Sequence, residues 1–472
     1  MKKIIRKSLL LLSGIVISSS FTLAQTGPGG VGNDTTNLLW LDATTITGYN
    51  DGDPLDVWPD SSGNQNHGEQ IGSSRPTYET NIINSLPAVY FDGTDDYIDT
   101  LFSVPSKQMS VFTVFSHNHN GTSSPNGPLW LCDYNVNKSG FFPMYSNGNQ
   151  YLHYGSSWLF ESSNFIQNRW YISMIERGNA KTSIWSNNIE VQSTSSNTSN
   201  ISKFTIGRRI ENNQYYRGYI SEIIFFDQDI NKTQEIIVNN YLAAKYNISL
   251  LSDDKYSYDT YNHDLAGIGQ ESADDSHSLA ASDEILYIGN PSDLDDEEYL
   301  MWGHNNGNSS WTTTDAPYGG AATQRLEREW RINKDGIGTV EISIDTTNIP
   351  SLPSGYPEYV LFVDEDIDND QQFSTGSVEE YKLEYKNGRL TAENITLLDG
   401  SFIAIGCIQP VQFQTANSRI VEANAAANII VSIPETKASD VSVDYSIIPG
   451  TATQGIDYNL SSGTATITVG KL

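Results

Sequence analysis

Short apolar runs recur along most of the chain. Positions 38–41, 88–91, 111–115, 170–175, 183–185, 204–207 and 219–226 are rich in β-branched and aromatic residues, and Asn, Gly, Ser and Pro break the intervals between them. Such runs at this spacing predict a large antiparallel sandwich. The same texture returns at 284–288, 299–302, 340–344, 359–363 and 402–405. Near the end, Val441, Val443 and Tyr445 alternate with Ser442, Asp444 and Ser446, the period of a half-buried strand. One stretch departs from this. Asn231 stands at a helix N-cap position with Gln234 in the capping-box place. Ile237, Tyr241 and Ala244 then share a helical face, and Asn247 follows as a C-cap. The pattern predicts one helix packed on the first sandwich.

Composition narrows the class. The chain has 472 residues, 38% hydrophobic and 18% charged, too apolar for wholesale disorder and too poor in charge for a coiled coil. With 27 basic against 57 acidic side chains the formal net charge is −30. That excess repels phosphate backbones and anionic lipid heads, which argues against nucleic acid as a partner. It suits solubility outside a cell and supplies oxygen ligands for calcium. Residues 1–24 read as an export signal: Lys2, Lys3, Arg6 and Lys7 precede an apolar stretch at 9–17, and Thr22-Leu23-Ala24 ends on the small residue that cleavage requires. A secreted or outer-surface location is therefore expected. No other apolar run is long enough to span a membrane. Cys132 and Cys407 lie far apart and read as two buried free thiols, not a disulfide framework.

The chain divides into three regions after the signal: 33–250, an acidic β-rich stretch at 251–408, and 409–472. The strings LLWLDA (38–43), VWPDSSGNQNHG (57–68), LPAVYFDGTDDYI (86–98) and GYISEIIFFDQDINKTQEIIVNNYLAAKYNI (218–248) resemble the laminin-G-like, concanavalin-like jelly roll of secreted bacterial proteins. The resemblance implies two curved antiparallel sheets, in domains that mostly bind glycans or proteins and include some glycoside hydrolases. HDLAGIG (263–269) and YLMWGHNNG (299–307) look like a β-rich domain that often follows such jelly rolls, and add architecture only. VQF (411–413), IVEANAAANIIVSI (420–433) and VSVDYSIIPGTATQGIDYNLSSGTATITVG (441–470) resemble a Calx-beta domain, an immunoglobulin-like sandwich. The fold class expected is thus all-β: a jelly-roll sandwich, a second β-rich domain and a partial immunoglobulin-like sandwich whose continuation lies beyond Leu472. The Calx-beta resemblance also implies calcium ligands at Glu422 and Asp457.

A second calcium candidate comes from the residues themselves. Asp366, Asp368 and Asp370 alternate in the run that follows the strand at 359–363. Alternate carboxylates suit Ca²⁺, but no Gly occupies the sixth position of an EF-hand loop. A solvated acidic turn is the plain alternative. Catalytic motifs are absent: there is no H-E-x-x-H, G-x-S-x-G or C-x-x-C, and no E-x-D-x-x-E strand of the jelly-roll glycosidase kind. Glu222, Asp227 and Asp229 read as structural. His117 and His119 share strand parity and read as a surface pair. Tyr151, His153, Tyr154 and Trp158, and the Asn64-Gln65-Asn66-His67 loop, are softer sugar-binding candidates. The sequence favours a calcium-stabilised adhesion or binding protein that recognises glycans or surface proteins. The alternative is a polysaccharide-degrading enzyme, a hydrolase of O-glycosyl bonds, or its carbohydrate-binding accessory.

Overall fold

The computed structural model describes residues 26–100, 108–118, 127–132, 139–143, 151–154, 157–160, 166–178, 181–195, 204–209, 213–320 and 323–409, with short pieces between 412 and 468; in some strands it describes only the backbone. Glu422 and Asp457 lie outside the described residues, as do His119 and the side chains of Tyr151, His153, Tyr154 and Trp158. The chain is all-β, built of packed antiparallel sheets, as the alternating runs require. No described helix is long and apolar enough to cross a membrane.

The first sandwich pairs two sheets. The nine-stranded one runs, in spatial order, Ile189–Ser195, Lys181–Ser186, Trp170–Arg177, Met109–His117, Arg217–Phe226, Leu86–Asp92, Thr77–Ile83 and Asp53–Pro54, with Asn37–Asp42 also on Arg217–Phe226. The second sheet includes Trp130–Cys132, Phe204–Ile206 and Ile98–Thr100. Leu41, Trp58, Phe91, Phe115, Trp130, Phe204 and Ile220 fill the space between them. His117 belongs to this buried layer at 0% exposure. The surface-pair reading of His117 is therefore wrong, because its strand turns that parity inward.

The second sandwich packs Asp275–His277, His263–Ser272, Tyr299–His304, Thr323–Asp335, Phe402–Ile408, Tyr359–Asp364 and Val378–Lys382 against a five-stranded sheet. That smaller sheet runs Leu279–Ser282, Leu286–Gly289, Val340–Ile344, Arg389–Ile395 and Glu384–Lys386. Trp302, Trp330, Ile342 and Ile403 lie in the core between the two. Cys132 and Cys407 are both buried thiols outside any disulfide, as their spacing suggested.

The helix Lys232–Tyr246 forms with the expected capping box on Asn231 and Gln234, and Asn247 closes it in the left-handed region at φ 52°. Its surroundings are richer than one apolar stripe implies. Asn239 and Asn240 are buried as well as Ile236, Ile237 and Leu242, because the helix is clasped from two sides. It covers Val114 and Ile224 of the first sandwich, and Met301, Phe362 and Phe402 of the second join the same apolar cluster. The buried amides are satisfied: Asn240 Nδ2 donates to the carbonyls of Ile236 and Asp253.

Candidate functional site

Where the two sandwiches meet beside the helix, a cleft of about 390 Å³ opens. Trp40, Tyr241, Asp264, Asp283, Arg328 and Asn348 are among the residues that line it. Each acidic group is aimed by an unusual stretch of backbone. The pairing of His263–Ser272 with Tyr299–His304 slips between His263 and Ala266, and Asp264 takes φ 44° there. Asp is one of the few side chains that tolerate this region, and such a bulge redirects the side chain it carries. Asp283 and Glu284 have φ 55° and 53° in a turn closed by Ile285 N–H on the Ser282 carbonyl at 3.2 Å. Both central residues lie left-handed, the hairpin turn that matches strand twist. The apolar run at 284–288 predicted strand at Glu284; the strand begins at Leu286 because Glu284 belongs to the turn.

Asp264, Asp283 and His304 bring one ligand-capable atom each within 4.8 Å of one another. The hydrogen bonds assign them a role other than metal binding. The backbone N–H of Asn306 donates to His304 Nδ1 at 3.0 Å, so the ring proton sits on Nε2, which donates to Asp264 Oδ2 at 2.8 Å. A metal at Nε2 would require Nδ1 to carry the proton and face another donor. The Asp264 side chain is 55% exposed yet walled by the cleft. Crowding pushes its carboxyl upward, but the His304 hydrogen bond and charge, then Lys245 and Arg328, outweigh this and hold it below the usual range. Arg328 pairs with Asp283 and donates through Nε to the Gly307 carbonyl at 3.0 Å. His263 stacks on His304 at 5.7 Å. Burial, then His304, holds its pKa down.

Trp40 forms the apolar wall. Its Nε1–H donates to Glu222 Oε1 at 2.7 Å, and Tyr241 meets its ring edge-on at 6.3 Å. The indole is thus fixed in one orientation by a group behind it. Glu222 is 1% exposed and lies directly across the strand pair from Asp42. Lys245 Nζ binds Asp42 Oδ2 at 2.6 Å and Glu222 Oε2 at 2.8 Å. The hydroxyls of Tyr241 and Tyr246 also donate to Glu222. Burial raises the Glu222 pKa, with Lys245 opposing. Lys245 is itself disfavoured by burial, but Asp42 and Glu222 hold its charge well above the ordinary lysine range. The structural reading of Glu222 fits this geometry. Its partners are Asp42 and Lys245, 180 and 23 positions away in the chain, and not Asp227 or Asp229.

Of the metal candidates read from the sequence, Asp366, Asp368 and Asp370 do converge, with one carboxylate oxygen each inside 4.8 Å. They sit in the turn between Tyr359–Asp364 and Val378–Lys382. Asp366 Oδ1 accepts Gln371 N–H at 2.9 Å, Asp370 Oδ1 accepts Gln372 N–H at 3.0 Å, and Thr375 donates to the other Asp370 oxygen. Arg331 is 3.9 Å from Asp366. A third group, Asp92, Asp95 and Asp96, comes equally close; there burial lifts the Asp96 pKa to about 7. The Asn64–His67 loop uses its polar atoms at home. Asn64 and Asn66 donate to the carbonyls of Asn37 and Leu38, and His67 Nδ1 accepts Asp60 N–H.

Comparison with known proteins locates part of this architecture. A family described as a domain of unknown function (DUF8202) matches residues 234–401, from within the helix to the residue before the last strand of the second sandwich, Phe402–Ile408. No curated protein matches the chain. Among solved structures, domain 4 of the extracellular GH43 arabinanase of Geobacillus stearothermophilus, in complex with arabinotriose, aligns at 15% identity and TM-score 0.34 over 43% of this chain and 97% of that one. The sialidase of Trypanosoma rangeli, bound to the inhibitor DANA, aligns at 14% and 0.33 over 43% of this chain and 32% of that one. A SAP-like pentraxin of Limulus polyphemus aligns at 14% and 0.26 over 32% and 79%. The chain thus spans about a third of the sialidase it resembles. At these scores the likeness is one of β-sheet architecture and decides nothing about a ligand.

Proposed function

We propose that this is an extracellular carbohydrate-binding protein of the adhesion or recognition kind, and that the cleft beside Trp40 holds a short, uncharged oligosaccharide. The observation that carries this is the pairing of a fixed indole wall with ionised acceptors and an amide donor around one open cleft. A pyranose ring presents C–H bonds on its faces, which suit the negative face of an aromatic ring, and hydroxyls on its rim, which need acceptors and donors. Preformed geometry on both counts lowers the ordering entropy that binding must overcome. Glycoside hydrolysis is less well supported. It needs one carboxyl held protonated opposite a second carboxylate, whereas Asp264 is held ionised by His304. Isothermal titration of the full chain with a panel of neutral oligosaccharides tests the reading. Trp40→Ala and Asp264→Asn should each weaken the best ligand about tenfold, the equivalent of about 1.4 kcal/mol. Turnover of any panel member, abolished by Asp264→Asn, would instead establish the hydrolase.

We also propose that Ca²⁺ stiffens the turn at Asp366, Asp368 and Asp370. The convergence of the three carboxylates supports this, since Ca²⁺ takes six to eight oxygens, several of which water and backbone carbonyls can supply. Calcium at a hundred times its dissociation constant should add about 2.7 kcal/mol to stability. Asp368→Asn should remove most of the gain in a melting experiment. An equal gain in wild type and variant would take the ion away from this turn.

A further inference from the structure

The nine-stranded sheet of the first sandwich carries, beyond the helix, a row of aromatic rings that the cleft does not use. Across one rung of that sheet, Trp170 lies opposite Ser116, Ser116 opposite Tyr219, Tyr219 opposite Tyr90, and Tyr90 opposite Thr77. Directly paired residues project from the same face. Their strand neighbours Tyr171, Phe115, Ile220 and Val89 are buried in the sandwich core, so the row faces outward. The Trp170 and Tyr219 rings are 6.1 Å apart and the Tyr219 and Tyr90 rings 4.9 Å apart, with the small Ser116 leaving room between the first two. All three aromatics are partly exposed. Further along the same face the helix takes over: Tyr246 reaches Glu222, and Asn84 at the border donates to the Lys245 carbonyl. Among the described residues the row lies at the edge of the helix's cover, where Trp170 still packs against the apolar cluster beneath the helix.

We propose that this rung is a second binding surface, a flat platform for a linear, uncharged polysaccharide. Three rings in line, each partly exposed, offer a strip of apolar face along one sheet. Charge selects the occupant. Glu79 receives the Tyr219 hydroxyl at 2.8 Å, Asp51 caps the neighbouring Thr80 N–H at 2.7 Å, and the chain as a whole carries −30. A second copy of this chain would bring the same excess and be repelled, as would an anionic polymer. An uncharged polyhydroxylated chain meets no such barrier. Its sugar faces can lie on successive rings while Glu79 and Thr77 accept its hydroxyls at the border. A row, as opposed to a pocket, admits a polymer that continues past both ends, so this surface differs in ligand size from the cleft.

Native gel electrophoresis of the full chain through gels containing arabinan, arabinoxylan, galactomannan, mixed-linkage β-glucan or polygalacturonate tests the platform. At least one neutral polymer should retard the protein, and Trp170→Ala and Tyr219→Ala should each raise the apparent dissociation constant about tenfold or more. Tyr90→Ala, at the end of the row, serves as a second variant should either of those fail to fold; it should weaken retention less. Failure of every neutral polymer to retard the wild type would overturn the inference, as would equal retention of wild type and all three variants. Retention only on polygalacturonate, abolished by salt, would overturn it too. Retention that falls with Asp264→Asn and is untouched by Trp170→Ala would assign the polymer to the cleft, so the two readings fail separately.

Discussion

Two clusters of carboxylates lie on either side of Trp40, and they are built on opposite plans. Behind the indole, Asp42 and Glu222 are sealed under the helix with Lys245 between them. In front of it, Asp264 and Asp283 face an open cleft, each balanced by a group on the second sandwich, His304 and Arg328. Each sets two carboxylates against one full cation, Lys245 or Arg328, yet the consequences differ. Behind Trp40 the low-polarity surroundings make each charge depend on its partners, and no ligand can enter. In front, water reaches Asp264, whose side chain is 55% exposed; its pairing contributes little to stability, and the lone pairs that His304 leaves stay available. The contrast separates an anchor from a site: similar residues secure the helix and the Trp40 ring in one place and can receive a hydroxyl in the other.

The largest expected effect lies in the sealed cluster. Lys245→Met leaves two buried carboxylates without their cation and should cost about 3–5 kcal/mol, read as a fall in the urea midpoint at unchanged slope. Glu222→Gln should cost less, about 1–2 kcal/mol, because an amide oxygen remains for Trp40 and Tyr241, the Tyr246 hydroxyl can turn to accept from the amide, and Asp42 still balances Lys245. A loss from Lys245→Met no larger than that from a surface lysine would break the distinction between the two clusters.

The sequence made some of this legible and hid the rest, for a physical reason. Short-range signals were plain. The capping box on Asn231, the left-handed Asn247, the strand texture and the convergence of Asp366, Asp368 and Asp370 all depend on residues within a few positions of one another. The paired clusters depend on residues brought together from afar. Lys245 meets Asp42 across 203 positions, and His304 meets Asp264 across 40. No local pattern marks such pairs. Glu222 looked like a lone acid in an apolar strand, and that was its only trace: a charge in a run such as Ile220–Ile224 asks for a partner on whatever covers it. Asp264 left a fainter mark, a charge beside an apolar run that a bulge turns outward. The helix shows the same limit. Its caps were readable, but the turn at Asn188 and the segment at 253–255 that meet the buried Asn239 and Asn240 were not.

A third way to hold a buried carboxylate sharpens the comparison. Asp96 is 6% exposed and sits with Asp92 and Asp95, and its pKa is pushed up to about 7, by burial first. Its charge is answered by a proton instead of a lysine. A carboxyl raised above its unfolded value of about 3.9 binds its proton more tightly when folded. Its contribution is full below the unfolded value and is lost as pH climbs through the folded one. Stability should therefore decline between about pH 4 and pH 7, by up to about 4 kcal/mol, and Asp96→Asn should flatten that decline. A slope of the opposite sign across this window, unchanged by the substitution, would show Asp96 to be ionised in the folded protein.

The smallest expected effect on stability is at the open cluster, and its smallness is the informative part. Asp264 is held below the usual carboxylate range, so it contributes stability above its unfolded pKa and loses it only as pH falls through the folded value. At neutral pH the Asp264–His304 pair is complete, with the Asp264 end half exposed and the His304 end buried. Asp264→Asn should consequently cost under about 1 kcal/mol, since an amide oxygen can still accept from His304 Nε2. The same change removes an anionic acceptor from the cleft, so it should weaken an oligosaccharide about tenfold while barely moving the urea midpoint. A residue that supports the fold loses stability and binding together. One that serves a ligand loses binding alone, and a fall of several kcal/mol in Asp264→Asn would place this cluster with the sealed one behind Trp40.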